Sequence, residues 1–319
     1  MSPLTDAAVE RLRIAAHRPQ MPSDRYAISG EIGRGGMATV YAARDTTLGR
    51  DVAIKVVNAV ASPASEERLA AESRVLARLE HPGIVPVHDA GQLLDGRPFY
   101  VMKRVQGRTL TDYLREESDL GERLRVFECV CEATAFAHAN RILHRDLKPD
   151  NIMIGAFGEV MVMDWGVAKS LDSSVMGSGV ILRNSKNDSR PHYKTDHGTV
   201  LGTPGFMAPE QAEGDVDDLD ARADVYSLGA ILATMVVGDV RALRSVCARA
   251  MATNRDERYP SVAALREEIA RFRAGRAVAA HQETALEKAG RIARVYRMPI
   301  LLVLTYMTMR ALVAIIAGW

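Results

Sequence analysis

The sequence predicts an α+β chain of two unequal lobes, a small β-rich one followed by a larger, mainly helical one. Between Tyr26 and Met102 the apolar residues fall in short β-branched or alternating runs, separated by Gly and Asp turns. That is strand chemistry. From about Leu110 onward the apolar stretches are long enough for buried helices. The length, 319 residues, suits one large or two medium domains with a real core.

Residues 1–25 read as a leader, amphipathic or without fixed structure. The opening stretch is charged throughout and lacks an apolar h-region, which excludes a secretory signal. The runs "YAISGEIG", "ATVYAARD" and "DVAIKVV" then read as strands. One helix interrupts them, "SEERLAAESRVLARLE", with Leu69, Val75, Leu76 and Leu79 on roughly one face. Two buried helices follow, "LRVFECVCEATAFAHAN" and "DVYSLGAILATMVVG". Between them lies "SLDSSVMGSGVILRNSKNDSRPHYKTDHGTV", polar and without period, which reads as a long functional or disordered loop. There is no internal repeat. A formal net charge of +1 gives no electrostatic footprint for nucleic acid. Cys129, Cys131 and Cys247 make no metal-type spacing and read as reduced, buried thiols.

The chemistry begins at "EIGRGGMATVY", a glycine-rich turn between two strands. Without Cβ atoms, such a turn lets backbone N–H groups approach phosphates. Alone it is a weak signal, and a plain hairpin turn is the better reading. Lys55 follows inside an apolar strand, where a charge is costly without a partner. Glu72 on the next helix could be that partner, or simply part of a solvated face. In "LHRDLKPDNIMI" a carboxylate, Asp146, precedes a cation, Lys148, and an amide, Asn151. Together these can orient a hydroxyl, steady phosphate charge and bind metal. Asp164 ends a further short strand in "EVMVMD" and by itself reads as the start of a turn. "GTPGFMAPEQ" closes the long polar loop.

In this order the motifs resemble the eukaryotic-type Ser/Thr protein kinase family, in its bacterial branch. The resemblance runs over about residues 26–272. It implies a bilobal protein kinase fold, with a small lobe over about 26–102 and a larger one over about 106–272. It also implies ATP and Mg²⁺ as cofactors, and Ser/Thr hydroxyls of proteins as acceptors. The glycine-rich segment Ile32, Gly33, Arg34, Gly35, Gly36, Met37, Ala38, Thr39 and Val40 is then the cover over the nucleotide. Lys55 is implied to hold the α- and β-phosphates and to pair with Glu72. Glu72 is preferred to Glu66 or Glu67 because it lies nine residues before the His of "HPGIV". Ala53 and Met153 are implied to sandwich the adenine, with Met102 as gatekeeper and Lys103 to Val105 as hinge. Asp146 takes the role of orienting the acceptor hydroxyl, and Lys148 has the Ser/Thr-specific form, as does Thr203. Asn151 and Asp164 are the implied Mg²⁺ ligands. Arg145 is implied to receive a phosphorylated loop residue, Thr195 or Thr199.

Some positions depart from the family pattern. Ala38 stands where a third glycine is expected, and Trp165 where a Phe is. Lys103 replaces a commonly acidic hinge residue. After Gly238 the chain passes almost directly to "VRALRSVCARAMATNRDERYPS", so the region that docks substrates is trimmed. Arg258 still matches the family Arg that pairs with Glu210. Two competing classes are a kinase-fold scaffold without phosphotransfer and a small-molecule kinase. The intact Lys55, Asp146, Asn151 and Asp164 oppose the first, and "GTPGFMAPE" opposes the second.

Beyond 272 the sequence reads as a basic juxtamembrane linker, 273–298, and an apolar segment, 299–319. Twenty-one residues of helix cover about 31 Å, close to the roughly 30 Å of a bilayer core. Arg310 near its middle costs roughly 2.5–3.5 kcal/mol, which the Leu, Ile and Val residues offset by about 3–5 kcal/mol. The expectation is a single-pass C-terminal membrane anchor with the kinase domain on the cytoplasmic side, which Arg291, Arg294 and Arg297 favour. The other reading is a hydrophobic helix docked on the chain itself or on a partner.

Overall fold

The structure, a computed structural model, describes residues 19–58, 63–165, 169–170, 204–213 and 219–316. Five antiparallel strands form the first lobe: β1 Tyr26–Arg34, β2 Ala38–Asp45, β3 Arg50–Val57, β4 Val87–Gln92 and β5 Pro98–Lys103, in the order β1-β2-β3-β5-β4. Period-two alternation sets its two faces. Val52, Ile54 and Val56 of β3 join Phe99 and Val101 of β5 in a cluster on one face. Ala53, Val57, Tyr100 and Met102 point to the other face and enter the main core. Lys55 shares that second face by register. Helix α1, Pro63–Leu76, packs there through Leu69 and Leu76.

The second lobe is built on α2 Leu110–Glu116, α3 Leu120–Ala139, α4 Pro209–Ala212, α5 Ala221–Met235, α6 Arg241–Ala250 and α7 Val262–Arg273. Side-chain caps start several of them. Asp119 accepts from Glu122 N at the head of α3, Asp220 from Arg222 N at α5, and Ser261 from Ala264 N at α7. Each such cap is worth about 1 kcal/mol. Phe127, Val130, Leu228, Ile231, Leu265 and Ile269 fill the centre, all under 1% exposed. Short strands lie on the side facing the first lobe. β7 Ile142–Leu143 pairs with β10 Lys169–Ser170, and β6 Gly107–Thr109, β8 Ile152–Gly155 and β9 Val160–Val162 form a three-stranded sheet. One continuous core runs through both lobes. The α+β bilobal architecture thus matches the expectation.

Four parts differ from the sequence reading or extend it. The end of the leader is tied to the first sheet: Leu94 N donates to Gln20 O at 3.1 Å, and Arg25 bridges Asp45 and Asp89. Residues 1–18 lie outside the described residues. The trimmed region is a short connection, since α5 ends at Met235 and α6 begins at Arg241.

The third concerns the stretch expected to be a linker, which returns to the second lobe. Val278 is buried and Ala280 N donates to buried Glu268 at 3.0 Å. Helix α8, Ala285–Val295, opens with a capping box between Thr284 and Glu287. Ser245 and His281 meet at 3.1 Å, and Glu287 faces Arg241 at 3.4 Å. Arg291 pairs with Glu283 and donates to Gly275 O. The charged face of α8 is thus turned inward, and Leu286, Ile292 and Tyr296 are exposed.

The expected span over 299–319 is not borne out. Among the described residues no helix is long and apolar enough to cross a membrane. Helix α9, Arg297–Ile316, carries Thr305, Tyr306, Thr308 and Arg310 in its central turns, and that polar stretch divides its apolar surface.

Candidate active site

Both lobes bring chemistry to the cleft between them. The turn between β1 and β2 is fixed from behind. Gly35 N donates to Ala38 O at 2.8 Å, and Asn58 Nδ2 donates to the carbonyls of Gly35 and Gly36 at 3.0 and 3.1 Å. Thr39 in turn donates to Asn58 Oδ1 at 2.6 Å. A Cβ added at Gly33 would meet only Val40, at 4.0 Å, and one at Gly36 would meet nothing within 4 Å. Internal packing therefore does not require glycine at these two positions. Ile32 and Met37 are exposed at its rim, whereas Arg34 pairs with Glu31 rather than facing inward.

Register places Ala53 opposite Met102, and Lys55 opposite Tyr100. Lys55 Nζ donates to both oxygens of Glu72, at 2.8 and 3.0 Å, and to Asp164 Oδ1 at 2.9 Å. Burial alone would lower the Lys55 ammonium, but the Glu72 and Asp164 carboxylates outweigh it and hold it well above the ordinary lysine range. The Lys55 charge in turn holds the Asp164 carboxyl below the usual range. Glu72 is therefore the helix partner of Lys55, and Lys55 links it to Asp164.

The segment from β7 to β8 carries Asp146. His144 spans its base: Asp146 N donates to His144 Nδ1 at 3.3 Å, so Nε2 bears the proton and donates to Met163 O at 2.9 Å. Buried Asp224 receives His144 N and Arg145 N, each at 2.8 Å, and meets His138 Nε2 at 2.7 Å. Burial would raise its carboxyl, but the His138 hydrogen bond and neighbouring charges hold it low. The anchor is needed because Arg145 has φ 68°, a conformation L residues avoid. Asp164 is also left-handed, φ 57°, which turns its carboxylate toward Lys55. Lys148 Nζ lies 2.9 Å from Asp146 Oδ2. Asn151 Nδ2 donates to the Asp146 carbonyl at 2.8 Å and approaches its carboxylate at 3.3 Å. Met153 lies in β8, half-buried, across from Met161.

Among the described residues no group of three His, Cys, Asp or Glu is assembled for a metal. What remains is one amide oxygen, Asn151 Oδ1, and the Asp164 oxygen not bound to Lys55. Few protein oxygens completed by phosphate oxygens is the donor set that Mg²⁺ takes, so these residues fit it.

Trp165 is 1% exposed, packs against His144 with ring centres 4.6 Å apart and planes tilted by 52°, and donates through Nε1 to Val162 O at 3.3 Å. A Phe there cannot make that bond and leaves space. Trp165→Phe is therefore expected to lower stability by about 1–3 kcal/mol, read by thermal unfolding. Arg258, its side chain fully buried, pairs with Glu210 through two bonds of 2.7 Å and also donates to three carbonyls. Gln211 Nε2 donates to Arg145 O at 2.5 Å, so α4 is tied to the Asp146 segment. Gly166, Thr195, Thr199 and Thr203 lie outside the described residues.

Sequence reasoning missed Asn58, Tyr100, Gln211 and Asp224. Tyr100 stands in an apolar strand run and Asp224 at the head of an apolar helix, so each was a lone polar group that could have been questioned.

A family model for the protein kinase domain matches residues 26–272. The chain belongs to the protein kinase family, in its bacterial, eukaryotic-type Ser/Thr branch. It is 39% identical over 228 residues to the serine/threonine-protein kinase PknB of Mycobacterium tuberculosis, covering 69% of this chain and 34% of that protein. With PknB of Mycolicibacterium smegmatis the identity is 34% over 296 residues, 81% of this chain and 44% of the relative. A probable PknB of Corynebacterium glutamicum is 37% identical over 223 residues, 68% and 32% of the two chains. The chain thus matches only about a third to under half of the length of these relatives.

Proposed function

We propose that this chain is a Ser/Thr protein kinase that moves the γ-phosphoryl group of ATP to hydroxyls of protein Ser and Thr residues. The observation that carries this is the Lys55–Glu72–Asp164 chain of ion pairs beside the Asp146–Lys148–Asn151 cluster. In this reading the turn from Ile32 to Val40 covers the phosphates with backbone N–H groups, and Ala53, Met102 and Met153 enclose the adenine. Lys55 holds the α- and β-phosphates, with Glu72 fixing its ammonium. Asp146 accepts a hydrogen bond from the acceptor hydroxyl, aligns it and takes its proton, while Lys148 balances the charge that develops on the transferred group. Asn151 and Asp164 would hold Mg²⁺, which supplies charge neutralisation at the β- and γ-phosphates. Little covalent chemistry falls to the protein, so positioning and electrostatics carry the rate. The scaffold alternative is not favoured, because no member of the set is missing. Incubation with γ-labelled ATP and a basic protein tests this: label should enter the protein with Mg²⁺ and not after chelation. Equal label in both would refute the metal-dependent reading.

We further infer that phosphate on Thr195 or Thr199 acts near Arg145, adding roughly −1.5 to −2 charge. Mass spectrometry of active protein finding neither Thr modified would count against it.

Membrane association through the C-terminal segment is proposed on one observation. Leu301, Leu302, Val303, Leu304, Leu312 and Val313 of α9 are all more than half exposed, and no described element covers them. So much apolar surface is unfavourable in water. Deleting residues 297–319 is expected to move the protein from the membrane to the soluble fraction. A full-length chain that stays soluble would contradict the reading.

A further inference from the structure

Tyr100 of β5 stands directly across from Lys55 of β3. Its Oη donates to Glu72 Oε1 at 2.9 Å, the same oxygen that receives Lys55 Nζ at 2.8 Å. The tyrosine is 1% exposed and Glu72 4%. The Lys55 ammonium lies 5.8 Å from the tyrosine ring centre, within reach of its face. A buried carboxylate with one lysine partner keeps lone pairs unfilled, and that is costly. The phenol fills one of them. Burial, chiefly, pushes the Tyr100 phenol well above its ordinary range, so it remains a donor.

Lys55 is shared between two carboxylates of different character. Glu72 is buried, whereas Asp164 is half exposed and is the group that would hold Mg²⁺. A Glu72 free to turn about its last torsion would leave Lys55 to the competing pull of Asp164. We propose that Tyr100 is a positioning residue whose hydroxyl clamps Glu72, and through it the Lys55 ammonium, in the place that receives the ATP phosphates. The hydroxyl touches neither nucleotide nor acceptor, and it keeps Asp164 available. This rests on the phosphate-holding role proposed above for Lys55.

The test is a double-variant cycle on the full chain, measuring the Kd for Mg²⁺-ATP and kcat/KM. Tyr100→Phe keeps the ring and removes only the hydroxyl. It is expected to weaken Mg²⁺-ATP binding and lower kcat/KM by about tenfold, the scale of one hydrogen bond to a charged group. In a Glu72→Ala background the same change should cost less than about twofold in Kd, because nothing remains to clamp. Tyr259→Phe serves as control: that tyrosine is also buried, and its hydroxyl has no hydrogen-bond partner among the described residues. It should leave both constants unchanged. Tyr100→Phe within twofold of wild type, or an equal loss in both backgrounds, overturns the proposal. If Tyr100→Phe does not fold, Tyr100→Met provides the hydroxyl-free variant with the same expected loss. Failure of the underlying reading is seen separately, as unchanged Mg²⁺-ATP binding in Lys55→Met.

Discussion

Asp146→Asn is expected to lower kcat by about 10²–10⁴-fold, the usual contribution of a positioned general base. The fold should be unaffected. Asn is isosteric, and the backbone bonds to His144 and Asn151 do not use the carboxylate. What is lost is the charge that faces Lys148 at 2.9 Å and the oxygen that would take the hydroxyl proton. Mg²⁺-ATP affinity should change little, because the groups assigned to the phosphates are Lys55 and the glycine-rich turn. Steady-state kinetics beside a nucleotide titration separates the two effects: kcat should fall while Kd for nucleotide stays within about threefold. A fall in both would place Asp146 in nucleotide binding instead.

The second large effect is expected at a residue that touches no substrate. Asp224→Ala should lower stability by about 3–5 kcal/mol, the cost of breaking a buried charged network by removing one partner. Against a total of roughly 5–15 kcal/mol that is a severe loss. Three donors would be orphaned, the amides of His144 and Arg145 and the His138 ring. Those two amides hold the segment at Arg145, where φ is 68°. Activity should therefore fall even at temperatures where the variant remains folded, because the turn that carries Asp146 is released. Thermal unfolding and kcat at low temperature check both parts. A variant as stable and active as the wild type would show that the anchor is dispensable.

The central motifs are legible in the sequence because each is local. Asp146, Lys148 and Asn151 fall within six residues, and the glycine-rich turn is continuous. Their supports are not legible, because each joins residues far apart. The Tyr100 hydroxyl meets Glu72 across 28 positions, Asn58 reaches Gly35 across 23, and Asp224 reaches His144 across 80. No periodicity or turn signal encodes such a meeting. Glu72 was an intermediate case. Spacing alone fits both a partner and a solvated face, and its 4% exposure with two bonds to Lys55 decides for the partner.

Beyond residue 272 the fold is least legible in the sequence. Two small apolar contacts, Val278 and Ala280, and a buried carboxylate, Glu268, draw the chain back, and none of them carries a pattern in sequence. In α9 the apolar residues gather toward the two ends, and the polar middle turns around Arg310 separate them.

Transfer of phosphate to Ser and Thr is the central activity proposed for this chain. Its most direct measurement is phosphoamino-acid analysis of label transferred from γ-labelled ATP, for the wild type beside Asp146→Asn. Label on phosphoserine or phosphothreonine in the wild type, reduced by at least about a hundredfold in the variant, is the expected result. Equal label in the two proteins, or none in either, would contradict it.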